Sequence, residues 1–275
     1  MSLDDKKVVL LVLLDLSAAF DTVNHQILLD RLKYLLGIDG LALNWIISYL
    51  SHRVQKVVID DDMSDILNIL FGVPQGSVLG PLLFIIYTSP LGSIIEKHGV
   101  SYHLYADDTQ LYISIDLSDT SQSRIKMEKC IFDIQEWMSN NFLCLNGDKT
   151  EVLLLTPKSK DVPNINIHID SDTIGNTQVV KNLGAYFDSH LCMRDQITNA
   201  CRLAWYQLRK ISKIRSYLDR TAAEKLIHAF VTSRLDLNNG LLYGVPEYEI
   251  KRLSRVQYAA ARILTRCAPH THNIM

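Results

Sequence analysis

No stretch of the chain stays apolar long enough to cross a membrane. The longest clean apolar run, Val8 to Leu14, falls far short of the ~18 residues a spanning helix needs. Cysteine is scarce and unpatterned. The five cysteines (Cys130, Cys144, Cys192, Cys201, Cys267) are odd in number, widely spaced and never form a C-x-x-C pair, so neither a disulfide framework nor a zinc module is indicated. An intracellular setting, nuclear or cytoplasmic, is favoured over secretion. The start does imitate a signal peptide, with Lys6-Lys7, an apolar stretch and then Ser17-Ala18-Ala19. Against that, Asp4 and Asp5 cancel the basic flank and Asp15 cuts the apolar run, and a buried strand ending in a carboxylate explains the same residues better. Tandem repeats, low-complexity segments and long flexible linkers are absent.

Net charge is also small, at −2, but it hides an asymmetry. From Arg194 onward there are 14 Lys plus Arg against 6 Asp plus Glu, or +8, which leaves 14 against 24, or −10, for the first 193 residues. A charged helical face is often only solvated surface, yet an excess of this size is also the electrostatic footprint of contact with phosphate backbones. With 275 residues, 48% of them apolar, the chain has room for one large domain or two, at roughly 100 to 200 residues each.

The patterning alternates between helix and strand. Val8 to Leu14 reads as a buried strand with Asp15 as the first residue off its end, and Asn24 opens a helix carried by Ile27, Leu28, Leu32, Leu35 and Leu36 up to Gly37. A second helix over 41–50, strands over 55–59 and 66–71 and a turn at Asp60-Asp61-Asp62 follow. Next comes Gly72-Val73-Pro74-Gln75-Gly76-Ser77-Val78-Leu79-Gly80-Pro81, a loop feeding a helix toward Ile95. It is either a tight loop and helix cap, or a backbone path where Gly72 and Gly76 admit a ligand and Gln75 offers donor and acceptor. Two Tyr- and Ile-rich arms flank Ala106-Asp107-Asp108-Thr109, the pattern of a hairpin with two carboxylates at its tip. Alone, that Asp pair is ordinary turn chemistry. An amphipathic helix over 120–141 follows, with Met127, Ile131, Ile134, Trp137 and Met138 as a core stripe. Then Asn146-Gly147-Asp148-Lys149-Thr150 turns into a strand over 151–156, short strands are expected over 165–169, 177–180 and 183–187, and three helices over 191–215, 220–235 and 247–267, Pro246 starting the last.

Taken in order, these blocks resemble the reverse transcriptase of a non-LTR (LINE-like) retrotransposon. Asp15-Leu16-Ser17-Ala18-Ala19-Phe20-Asp21 is similar to the family's first palm motif, the GVPQGSVLGP run to the second, and Tyr105-Ala106-Asp107-Asp108 to the third. Asn146 to Thr150 and Lys181-Asn182-Leu183-Gly184 are similar to the two that follow. The resemblance implies an α+β right-hand polymerase palm, an antiparallel sheet backed by helices, over 1–189, and a helical thumb over 190–275. It implies RNA-directed DNA polymerase chemistry with an RNA template, a DNA primer and dNTPs. Asp15, Asp107 and Asp108, with the carbonyl of Leu16, would hold two Mg²⁺ ions, with Mn²⁺ as a substitute, because hard cations take oxygen ligands. Phe20 would crowd the nucleotide's 2′ position or serve as a core aromatic. Gln75 and Gly76 would line the nucleotide pocket. Lys149 would act at the pyrophosphate or be an ordinary solvated lysine, and Asp21 reads as a helix-start or structural residue. The family's fingers precede its first motif and its thumb continues past the region matching His270 to Met275. The chain is therefore expected to be N-terminally truncated, without fingers, and C-terminally incomplete, and to show weak or no polymerase activity when isolated. Two other readings remain: a remnant that binds nucleic acid without turnover, and a metal-dependent phosphohydrolase on another scaffold, for which the sequence offers no separate nucleophile.

Overall fold

The computed structural model describes residues 8–115, 120–157, 164–169 and 172–267. Lys6-Lys7 and His270 to Met275 lie outside them. The chain divides into two compact units, Met1–Thr177 and Gln178–Met275.

The first unit is built on strand β1, Val8–Ser17, whose exposure alternates residue by residue along its whole length. Val8, Leu10, Val12, Leu14 and Leu16 are buried on one face, while Val9, Leu11, Leu13, Asp15 and Ser17 occupy the other, half-open face. Asp15 is thus inside the strand, where the sequence places it just beyond the end. The helix after it begins as α1, His25–Asp30, capped by the Asn24 side chain accepting from the Ile27 N–H, and widens to π spacing over Arg31–Leu35. Helix α2, Gly40–Leu50, is capped by Asp39. The strands expected over 55–59 and 66–71 are short ribbons: β2 (Val54–Gln55) pairs with β5 (Leu67–Asn68), enclosing β3 (Val58–Ile59) paired with β4 (Asp62–Met63).

The helix expected to run from the Gly/Pro loop to Ile95 is two helices, α3 (Gly80–Thr88) and α4 (Leu91–Lys97). Pro90 stands between them; it lacks the N–H needed to continue the ladder. Strands β6 (Ser101–Tyr105) and β7 (Asp108–Ile115) form the expected hairpin, and helix α5, Thr120–Asn140, buries Met127, Cys130, Ile131, Ile134 and Met138. Strand β8 runs from Cys144 to Leu155, and β9 (Asn166–Ile169) pairs with β10 (Asp172–Thr177). The resulting sheet has the order β6-β7-β1-β8-β10-β9, antiparallel except where β10 meets β8. Its buried face shares one core with Phe84 and Tyr87 of α3 and the stripe of α5. At roughly 25 cal/mol per Å² of apolar surface, burying each large side chain of this layer contributes about 1.5–3 kcal/mol.

In the second unit, β11 (Val179–Asn182) and β12 (Ala185–Asp188) form a hairpin that packs on helix α6, Arg194–Ile214. This contact groups the hairpin with the helices and moves the unit boundary earlier than the 189/190 division expected from the motifs. Helix α7 (Arg220–Ile227) passes through a π turn into α8 (Ser233–Asp236), and α9 (Glu247–Thr265) follows Pro246, which occupies the cap position itself. Ala204, Leu208, Val231 and Val256 form their common core. Among the described residues no helix is long and apolar enough to cross a membrane.

Candidate active site

The register of the central sheet decides which carboxylate meets Asp15. Leu14 of β1 pairs with Thr109 of β7 as the last rung of that ladder, and continuing its register one step sets Asp15 across from Asp108. Opposite residues of an antiparallel pair share a face, and this one is the open face of the sheet. Asp107 occupies the tip beside Ala106, which takes a φ of +52° so that the hairpin can turn in two residues. The strand partner of Asp15 is therefore Asp108; Asp107 approaches from the tip. Burial pushes the Asp108 carboxyl above the usual carboxylate range, and the charges of Asp107 and Asp15 push it further.

On the other edge of β1 the ladder is interrupted. Leu13 pairs with Glu151, but Asp15, two residues later, pairs with Asn146, so four residues of β8, Gly147 to Thr150, bulge out of the sheet. The Thr150 hydroxyl closes the bulge by donating to the Asn146 carbonyl at 3.1 Å. From that bulge Lys149 brings its ammonium to 3.1 Å from Asp15 Oδ2. The approach lacks hydrogen-bond alignment: Oδ2 is buried and has no hydrogen-bond partner. Lys149 itself is 66% exposed, so the ion pair is screened by water and stabilises little. The structure thus places Lys149 on the first-strand carboxylate.

Leu16 is buried and paired with Leu145. Phe20 lies half-buried, its ring centroid 4.8 Å from that of Phe84 on α3, so it is packed into the edge of the core. The Gly/Pro loop is laced to the segment after Asp15. The Val73 N–H donates to the Phe20 carbonyl and the Gly72 N–H to the Val23 carbonyl, both at 2.8 Å. His25 Nε2 stands 2.7 Å from the Gly72 carbonyl. Gly72, at a φ of +86°, has its missing Cβ position 3.0 Å from the Asp21 carbonyl oxygen, so close approach of Asp21 requires glycine there. Gly76 is different: its φ of +75° favours glycine, but the space around it is open. Gln75 is exposed, and its side-chain amide donates to Asp21 Oδ1 at 2.9 Å. Asp21, Arg53, Gln55, Gly72, Pro74 and Gln75 line a cavity of about 510 Å³. Sequence reading left Asp21 as a structural residue and passed over Arg53. The Asp next to Phe20 is a signal for the first, whereas nothing local marks the second.

Donor chemistry and charge fit a divalent cation at this place. An orphaned buried carboxylate oxygen and an Asp108 carboxyl raised by two neighbouring carboxylates both call for positive charge. Among the described residues, however, no three His, Cys, Asp or Glu side chains are gathered as a ready metal-binding set.

An antiparallel sheet backed by helices, with a carboxylate on its central strand facing a carboxylate-tipped hairpin, is the palm architecture of nucleic-acid polymerases. A family described as reverse transcriptase (RNA-dependent DNA polymerase) matches residues 2–187, and the chain belongs to it. The chain is 26% identical to the RNA-directed DNA polymerase from mobile element jockey of Drosophila funebris, over 92% of this chain and 28% of that protein. The jockey enzyme of Drosophila melanogaster is 25% identical over 96% of the chain and 29% of its own length, and a probable RNA-directed DNA polymerase from transposon BS of the same species is 24% identical over 96% and 30%. These relatives are polymerases of mobile elements and a transposon, in keeping with the retrotransposon character of the motifs. The chain spans less than a third of their length. A solved apo telomerase from Candida Tropicalis aligns with 94% of the chain and 46% of its own, at 11% identity and a TM-score of 0.48.

Proposed function

We propose that this chain carries the nucleotidyl-transfer site of an RNA-directed DNA polymerase, adding dNTPs to the 3′-hydroxyl of a DNA primer on an RNA template. The observation that carries the reading is the buried Oδ2 of Asp15 on the central strand, which among the described residues accepts no hydrogen bond, together with Asp108, whose carboxyl feels the charges of both Asp107 and Asp15. In the transfer, a bond forms between the primer 3′-oxygen and the α-phosphorus, the bond to pyrophosphate breaks, and the hydroxyl proton leaves to solvent. Asp15, Asp107 and Asp108, with the Leu16 carbonyl, would hold two Mg²⁺ ions, with Mn²⁺ able to replace them; when bound, such ions activate the attacking hydroxyl and neutralise the leaving group.

The remaining work falls to the chain itself. Lys149, freed from its exposed pairing with Asp15, supplies charge or a proton to the pyrophosphate. Phe20, braced by Phe84, presents a rigid aromatic edge to the sugar and excludes a 2′-hydroxyl by bulk. Gln75 and Gly76 form the nucleotide-facing edge of the Gly/Pro loop. The second unit, with its +8 excess from Arg194 onward, grips the primer–template duplex through its backbone without reading sequence.

The test is primer extension with Mg²⁺ on RNA and DNA templates, comparing the wild-type chain with Asp15→Ala. Extension on poly(rA) that disappears in the variant supports the reading; an unchanged rate sinks it.

A further inference from the structure

The lacing between the two loops points to a role for Asp21. Three contacts fix its backbone. Its N–H donates to the Ala18 carbonyl at 2.9 Å, its own carbonyl lies against Gly72, and the residues on either side are tied to the Gly/Pro loop at Phe20–Val73 and Val23–Gly72. So held, the Asp21 carboxylate accepts from the Gln75 side-chain amide at 2.9 Å. A glutamine amide has two faces of opposite character, and rotation about its terminal bond exchanges donor for acceptor. Because a carboxylate only accepts, contact with Asp21 requires the Gln75 NH₂ group to point toward it and leaves the Gln75 carbonyl oxygen on the other side. Gln75 is exposed, on a loop whose next residue has open space around it.

We infer that Asp21 is a positioning residue that sets the orientation of the Gln75 amide, and thereby the donor–acceptor pattern the Gly/Pro loop offers to an incoming dNTP. This rests on the assignment of Gln75 to the nucleotide pocket. Asp21 touches no reacting atom; it acts through Gln75. One solvent-exposed hydrogen bond of about 1 kcal/mol corresponds to about fivefold in affinity, and that is the effect expected when it is lost.

The test is equilibrium binding of a fluorescently labelled dNTP to the full chain with Mg²⁺ and an RNA–DNA primer–template, which does not depend on turnover. Asp21→Ala and Gln75→Ala each weaken binding about fivefold, and the double variant is no weaker than Gln75→Ala alone, since both remove one unit. Asp21→Asn, whose amide donates as well as accepts and so leaves both Gln75 orientations open, keeps part of the affinity, between wild type and Asp21→Ala, and thermal unfolding of all four variants stays near that of wild type. Full affinity in Asp21→Ala beside loss in Gln75→Ala overturns the positioning role and leaves the nucleotide pocket standing. Losses that add in the double variant, or Asp21→Asn weaker than Asp21→Ala with normal unfolding, overturn it as well. No effect of Gln75→Ala, or no dNTP binding by the wild type, overturns the pocket assignment and this inference together.

Discussion

Removing Lys149 is expected to tighten divalent-cation binding to the nucleotide-free protein. The Lys149 ammonium stands 3.1 Å from the Asp15 oxygen that lacks a hydrogen-bond partner, so any cation seeking that oxygen meets a positive charge already there. The size of the effect follows from exposure. Lys149 is 66% exposed, and an exposed ion pair contributes about 0–1 kcal/mol once water screening is counted. Repulsion between unit charges a few ångströms apart in water is likewise about 1 kcal/mol. Lys149→Ala should therefore lower the dissociation constant for Mn²⁺ by about two- to fivefold. Asp15→Asn removes the charge itself and should weaken binding by more than about tenfold. The loss of the free Mn²⁺ paramagnetic resonance signal on titration measures both, without nucleotide or primer. The gain in Lys149→Ala should shrink as salt is raised, because exposed charges are screened over ~8 Å at physiological ionic strength. Equal or weaker binding in Lys149→Ala, or unchanged binding in Asp15→Asn, would refute the charge argument. If Lys149 also serves the pyrophosphate, the variant that binds metal better will extend primers more slowly.

Other consequences can be checked by unfolding. Asp188 is buried at the start of the turn into α6 and accepts from the backbone N–H groups of His190, Cys192 and Met193 at 2.8–3.0 Å. Burial alone would raise its pKa, but these bonds outweigh it and hold the carboxyl below its ordinary value. A depressed folded pKa gives stability that is fully present above the unfolded value of about 3.9 and lost as pH falls through the folded one. Asp188→Ala should thus cost about 1–3 kcal/mol in urea at pH 7, the gap to wild type narrowing below about pH 4; a gap that widens in acid contradicts the sign. Gly72→Ala should cost about 1–3 kcal/mol in thermal unfolding, since it forces a side chain into a φ of +86° and onto the Asp21 carbonyl. Tyr87 is fully buried, with the Arg31 guanidinium 4.5 Å from its ring centroid and its hydroxyl donating to the Asn141 carbonyl at 2.7 Å. Tyr87→Phe keeps the ring under Arg31 and loses the hydroxyl, so about 1–2 kcal/mol in a urea titration is expected, and a neutral result would mean the Asn141 carbonyl finds another donor.

What the sequence makes legible is what short-range periodicity can encode. The apolar run at Val8, the alternating arms around Ala106 and the stripe Met127–Ile131–Ile134–Met138 each announce an element, and the motif order announces the palm. Register is not local, and which residues meet across the central sheet depends on it. That Asp108 stands opposite Asp15 follows from Leu14 pairing with Thr109, and no residue in either strand declares that pairing. The bulge that carries Lys149 to Asp15 reads in sequence as a simple turn, because only the partner strand reveals that four residues stand against one, Leu14. The tie between Asp21 and Gln75 joins residues 54 apart. Pro90 was visible, but the apolar pattern runs through it, and the pattern outweighed the missing N–H.

The central place of β1 also sets a timetable. It is hydrogen-bonded on both edges, yet its partners are made much later than itself: Val8 awaits Ile115 and Val9 awaits Leu155. At synthesis rates of about 5–20 residues per second, the strand Val8–Leu14 stays unpaired for on the order of ten seconds or longer. During that interval it is a sticky apolar ribbon with two open edges, the kind of segment that holdase chaperones shield and that crowded chains use to aggregate. The strand that bears the first carboxylate is therefore also the one whose late pairing makes the yield of folded protein sensitive to the speed of translation.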